Sequence, residues 1–400
     1  MEKHPSLKNG PGKQTTAVSP QKIRFGQYES AVEMRYAQMQ RKRFVERLWE
    51  KDATLWQKNV YRETAFGSAP DWLHLPEMMA KNAPLIEKYL REIQSAGIQK
   101  GVIFTKPAHH FAASALLQTA KAPSPVLALS VLHFMDADTL NNLKTSFPLE
   151  KTTFVFAGDA ARNFQWIKRL FHLYEISAAL SPEQFAKQVA VIGSPKNPMN
   201  KWVERRGIGQ IFIDPLDLNS HYLALSFTGL LPAAMAGLDV REMLQRSKSM
   251  VKLCKRSQAI PENPGAALGG ALGEIIRQGR DKIMLLMPGR LSGFGNWLAH
   301  LLSEGFDEMG VAVRLLLDCK INEFDADGEE IVFVHYTFAG DDNPCAEIEQ
   351  LSIRAGHPVV NLSIDDFLNI GQEIFRWEIA AVTAAIILGV NTTLLKNLSE

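Results

Sequence analysis

The 400-residue sequence predicts an α/β fold in which two doubly wound parallel sheets follow a helical N-terminal lead-in. Three observations predict it. Short apolar segments bounded by turn residues alternate with longer helical ones, the pattern of βαβ units around parallel strands. The alternation runs twice along the chain, with heavier helices the second time. A composition of 46% hydrophobic and 22% charged residues can bury a sizeable core, and the length suits two or three domains.

The chain opens on charged and polar residues, and Lys13 to Gln21 carries too little apolar content to pack, so a flexible tail or fusion scar is expected at 1–26. The lead-in spans 27–96. Over 28–56 the residues Val32, Met34, Met39, Phe44, Val45, Leu48, Trp49, Leu55 and Trp56 recur at roughly helical spacing, with a break near Asp52. After Pro70 and Pro76 a second helix covers 78–95. The first sheet domain, 97–205, reads as strands at 101–104, 126–132, 153–156 and 189–192, separated by helices at 110–120, 137–144 and 164–178.

The second domain, 206–391, begins with a strand at 209–213 and an apolar helix at 223–237 that carries Pro232. Asp239 can cap a helix over 240–255, and Pro264 starts another that runs to Arg277. Strands follow at 282–287, 311–317, 331–336 and 358–362, with helices at 296–309 and 346–355. Residues 392–400 read as a C-terminal tail. The longest apolar run, 379–390, is about a dozen residues where a membrane span needs about 20, so it reads as a buried helix. Formal net charge is +1, from 44 basic and 43 acidic residues, which favours neither nucleic acid nor an anionic membrane. Cys254, Cys319 and Cys345 form no CxxC or CxxH pair, which fits a reducing cytoplasm.

Several runs carry a resemblance. Arg47-Leu48-Trp49 stands with Asp52, Leu55 and Trp56. Leu225-Ser226-Phe227-Thr228-Gly229-Leu230-Leu231-Pro232 precedes Gly237-Leu238-Asp239. Asn263-Pro264-Gly265-Ala266-Ala267-Leu268-Gly269 leads to Gly273-Glu274 and Gly279-Arg280-Asp281-Lys282, and Phe294-Gly295-Asn296-Trp297 and Phe375-Arg376-Trp377-Glu378 follow. In this order, from Phe44 to Asn391, the chain resembles the phosphoglucose isomerase family, especially the form fused behind a transaldolase. The resemblance implies two sugar-isomerase (SIS) domains at 97–205 and 206–391, and a homodimer.

Interconverting glucose 6-phosphate and fructose 6-phosphate needs a carboxylate base, a cation for the enediolate, an acid–base group for ring opening, and donors for the phosphate. The resemblance gives positions for the base, the cation and the phosphate donors, and places no ring-opening group. The family's SxSGTT phosphate loop is matched here by Ala157-Gly158-Asp159-Ala160-Ala161-Arg162-Asn163, which lacks the hydroxyls and adds an acid. Arg162 and Asn163 are the substrate-binding candidates there, with a solvated arginine at a helix start as the plainer alternative. The family's GxGGSS loop is matched by Thr105-Lys106-Pro107-Ala108-His109-His110, where Pro107 removes a donor and Ala108 adds a side chain. His109 and His110 are further substrate-binding candidates, or else capping or surface residues. They lack a third ligand nearby in sequence, so no metal is expected, and no cofactor.

His221, in Asn219-Ser220-His221-Tyr222, stands where the family has its arginine, and an ordinary imidazole carries full charge only below about pH 6.5. Glu304, in Leu301-Leu302-Ser303-Glu304-Gly305, falls on the family's base. Both are catalytic candidates, with a structural histidine and a solvated glutamate as the alternatives. Lys396 falls several residues short of the family's lysine, and His357 reads as structural. The expectation is a glucose-6-phosphate isomerase-like protein with impaired chemistry that binds a phosphosugar or a protein partner. Its rival is an active aldose–ketose isomerase using Glu304 with His221. A third reading, a subunit stabilising a separate transaldolase, follows from the fusion resemblance alone.

Overall fold

A computed structural model describes residues 18–55, 71–105, 107–117, 127–133, 148–158, 168, 181–195, 197–207, 209–214, 220–256, 259–319 and 330–390. The expected helices at 137–144 and 164–178 lie outside these residues, apart from Lys168. So do Arg162, Asn163 and Lys396.

The N-terminal boundary is corrected. Gln21–Arg24 is a strand, β1, so the tail expected over 1–26 does not extend through its last residues. β1 is four residues long, too short for a two-residue alternation to stand out in the sequence. The lead-in then forms α1 (Glu29–Arg41) and α2 (Phe44–Trp49). The chain breaks between them at Arg43, whose φ is 50°, while the apolar positions on both helices continue into one core. α3 (Leu75–Ser95) starts with Pro76 in its first turn, where a missing N–H costs nothing, and carries Pro84 within it. Its buried face, which includes Met79, Ile86, Tyr89 and Ile93, holds it against the first sheet.

That sheet contains β2 (Lys100–Thr105), β3 (Ala128–His133), β4 (Thr152–Ala157), β5 (Val189–Gly193) and β6 (Gln210–Ile213). The order is β3-β2-β4-β5-β6, all parallel. The strand at 210–213, read from sequence as opening the second half, pairs with β5 and ends this first sheet. α4 (Pro107–Ser114) follows β2, α5 (Pro182–Gln188) precedes β5, and α6 (Pro198–Arg206) lies between β5 and β6.

Two helices, α7 (Phe227–Met235) and α8 (Val240–Cys254), lead into the second half, with Asp239 accepting from the Glu242 amide as the cap of α8. α9 (Pro264–Arg277) comes next. The second sheet uses β7 (Lys282–Met287), β8 (Ala312–Leu317), β9 (Ile331–Phe338) and β10 (Val359–Ile364). Its order is β1-β10-β9-β7-β8, with β1 antiparallel at the edge and the other pairs parallel. α10 (Ser292–Gly305) follows β7, and α11 (Ala346–Arg354) joins β9 to β10.

α12 (Ile370–Leu388) is buried from Ile370 to Ala385 and runs through the centre of this half. It approaches α9 closely because Gly265, Gly269 and Gly273, four residues apart, share one face of that helix. A side chain at Gly269 would put its Cβ 2.3 Å from the Ala380 carbonyl oxygen. Glu274, one position after this glycine series, accepts from Arg35 Nε at 2.8 Å and so fastens α1 to α9. Burial raises the Glu274 carboxyl, but hydrogen bonds from Arg277, Gln278 and Arg35 outweigh it and hold the group at about 2. Cys319 and Cys345 are joined by a disulfide between the end of β8 and the start of α11, a pairing that their spacing did not show. Among the described residues, no helix is long and apolar enough to cross a membrane.

Candidate functional site

Glu304 and His221 meet. Glu304 lies on the last turn of α10, and His221 on a 3₁₀ turn, Ser220–Leu225, just before α7. His221 Nε2 stands 3.5 Å from Glu304 Oε2. Two contacts fix the turn. Trp297 Nε1 on α10 donates to the His221 carbonyl at 3.3 Å, and Tyr222 stacks on Trp72 with ring centroids 4.6 Å apart. The His221 side chain is 2% exposed and that of Glu304 is 49% exposed, so the pair spans from core to surface.

His300 joins them, a residue the sequence reading did not select. It sits one turn before Glu304 on the same face of α10, with its Nδ1 3.8 Å from Glu304 Oε1. Its ring lies 5.2 Å from that of His221 and stacks on Phe111 of α4 at 4.3 Å. The signal was present in the sequence as a His-x-x-x-Glu spacing, which turns both side chains to one side of a helix. Among the described residues, His221, His300 and Glu304 form the one group of three such donors whose ligating atoms lie within 4.8 Å of one another.

The electrostatics follow from this packing. The hydrogen bond from His221 lowers the Glu304 carboxyl against a smaller opposing effect of burial, and the charges of the two imidazoles act in the same direction. Burial lowers His300 below the ordinary imidazole value, the charge of His221 adds to that, and Glu304 opposes it. Glu304 is therefore a carboxylate throughout the neutral range and a weak proton acceptor, since a base is most effective when its pKa lies near the working pH.

The two histidines expected from the glycine-loop position are both half-buried on α4. His110 Nε2 is 3.3 Å from Ser114 Oγ, and its ring meets that of Phe111 edge-on at 5.8 Å. His110 and Phe111, together with Leu129, Gly293 and Asn296, border a cavity of about 510 Å³. This puts His110 one aromatic ring away from His300. His357 lies elsewhere, with its Nδ1 2.9 Å from Arg280 Nη1 and its ring against Phe333, in keeping with a structural role. Phe306 is fully buried in the core.

No family model matches the chain. A stretch of 172 residues is 24% identical to the glucose-6-phosphate isomerase of Carboxydothermus hydrogenoformans, covering 42% of this chain and 37% of that protein. Another of 152 residues is 26% identical to the enzyme of the same name from Parabacteroides distasonis, covering 36% and 34%. The matched stretches thus span little more than a third of these relatives. Among solved structures, a hypothetical protein from Thermus thermophilus superposes with a TM-score of 0.72 at 17% identity, over 93% of this chain and 95% of that one. A glucose-6-phosphate isomerase from Chlamydia trachomatis superposes with a TM-score of 0.65 at 13% identity, over 90% and 82%. At these identities the likeness is one of fold: two sheets flanked by helices, parallel throughout except for β1.

Proposed function

We propose that this is a glucose-6-phosphate isomerase-like protein that binds a phosphosugar beside His221, His300 and Glu304, next to the cavity bordered by His110 and Phe111, and has little isomerase activity. The state of Glu304 supports this reading most directly. Its carboxylate is engaged by His221 at 3.5 Å and its pKa is lowered, which makes a poor base for moving a proton between adjacent carbons. The group standing in the place of the resembling family's arginine is an imidazole, a weaker electrostatic partner for an enediolate at neutral pH. A coupled assay converting fructose 6-phosphate to glucose 6-phosphate tests it, with Glu304→Gln as control. Negligible turnover is expected, and normal turnover that depends on Glu304 would overturn the reading. Binding is tested separately by thermal shift with 6-phosphogluconate, since a ligand at 100 times its dissociation constant stabilises by about 2.7 kcal/mol.

The convergence of Glu304 and His221 from distant segments favours a second reading, an active aldose–ketose isomerase acting on a related phosphosugar. Under it, Glu304 is the base and His221 the electrophile. Glu304-dependent turnover on another ketose phosphate would select this reading over the first.

A further inference from the structure

We infer that His221, His300 and Glu304 form a site for a divalent metal ion of the zinc type, open on one side to an oxygen ligand. The inference takes from the reading above that a ligand binds beside these residues, and it requires no turnover. Two imidazoles and a carboxylate are a donor set that zinc accepts, with further positions left for water or a ligand. With bonds of about 2.0–2.2 Å in tetrahedral array, neighbouring donor atoms stand about 3.4 Å apart. His221 Nε2 lies 3.5 Å from Glu304 Oε2 and His300 Nδ1 3.8 Å from Glu304 Oε1, and one donor atom from each of the three residues lies within 4.8 Å of the others, so the side chains would draw together by up to about 1.4 Å around an ion.

The supports are rigid. His300 and Glu304 share one face of α10, and the turn carrying His221 is tied to the same helix through Trp297. Phe111 stacked on His300 limits rotation of that ring. Burial falls from His221 through His300 to Glu304, with side-chain exposures of 2%, 16% and 49%, which closes the back of the site and leaves its front open. An ion here would also place a full positive charge beside the exposed carboxylate. With Glu304 committed to the ion, the centre would hold vicinal oxygens of a hydroxy-carbonyl compound rather than shuttle protons.

Calorimetric titration of the metal-free protein with Zn²⁺, without sugar present, should show one ion per chain. His300→Ala and Glu304→Ala should each weaken the binding at least tenfold, with unchanged thermal midpoints of the metal-free variants showing that they fold. Co²⁺ should give visible d–d absorption without a thiolate charge-transfer band. Absence of saturable binding, wild-type affinity in both variants, or a thiolate band would overturn the inference. Zn²⁺ binding with no phosphosugar binding to the loaded or metal-free protein would leave the ion site standing and remove the proposed function. Phosphosugar binding with no Zn²⁺ binding would remove the ion site alone.

Discussion

His221 Nε2 lies 3.5 Å from Glu304 Oε2, a buried imidazole reaching a half-exposed carboxylate on a different element. The carboxyl is lowered from 4.5 chiefly by the hydrogen bond from His221. For an acid with a lowered folded pKa, the stabilisation is complete above the unfolded value and is lost as pH falls through the folded one. The contribution of the lowered carboxyl should therefore be lost as pH falls below 4.5. Replacing the imidazole, as in His221→Asn, should move the Glu304 carboxyl back toward its ordinary range. Carboxylate NMR of protein labelled at glutamate would show an upward shift, and an unmoved titration would show that His221 does not hold the group.

Glu378 on α12 should respond to pH in the opposite sense. Both of its carboxyl oxygens are buried without a hydrogen-bond partner among the described residues, and burial raises the group well above 4.5. The native state then keeps its proton while the unfolded chain ionises, so this contribution is lost progressively as pH rises above 4.5. Glu378→Gln should flatten that part of the stability profile and leave the variant more stable than the wild type at neutral pH. Urea unfolding at several pH values measures it, and parallel profiles for the two proteins would refute the assignment.

The contact between α9 and α12 should be intolerant of a methyl group. At Gly269 the new Cβ would fall 2.3 Å from a backbone oxygen, which no rotamer change can relieve. Gly269→Ala should cost about 1–3 kcal/mol, the usual penalty of overpacking, despite the better helix propensity of alanine. A lower urea midpoint at unchanged slope is the expected readout.

Closing a loop between Cys319 and Cys345, separated by 26 residues, should stabilise the protein by about 2–4 kcal/mol through the unfolded chain. Reduction or Cys319→Ser should lower the thermal midpoint. Alkylation of the unreduced, denatured protein should label Cys254 alone. Labelling of all three thiols would show the bond to be absent.

Most of the strands and helices could be read from sequence because their apolar residues either run together or recur at helical spacing. β4 and β5 are buried at every position, which reads as short apolar runs, and α8 repeats its buried residues at helical spacing. β1 was missed because four residues cannot show a period, and β6 was placed in the wrong half because a strand of sequence does not reveal its neighbour. At the candidate site, Glu304 and His221 were selected through the family resemblance and not through any local pattern, and the structure brings the two side chains within 3.5 Å. His300 was missed because a single histidine on an otherwise apolar helix looks like core until the partner brought beside it from another segment is known. The disulfide was hidden for the same reason, since pairing is settled by the fold and not by spacing.

β1 has a consequence for handling the protein. It lies antiparallel on β10 through Gln21↔Leu362 to Arg24↔Val359, and the Arg376 guanidinium donates to the Ser19 carbonyl just before it. Without those few residues β10 would become the margin of the second sheet, a row of open amides and carbonyls between buried Val359, Val360 and Leu362. Such a margin can pair with another chain. Four residues that resemble a dispensable leader therefore act as a guard against self-association, and a protein trimmed at residue 26 should precipitate or oligomerise before it loses its fold.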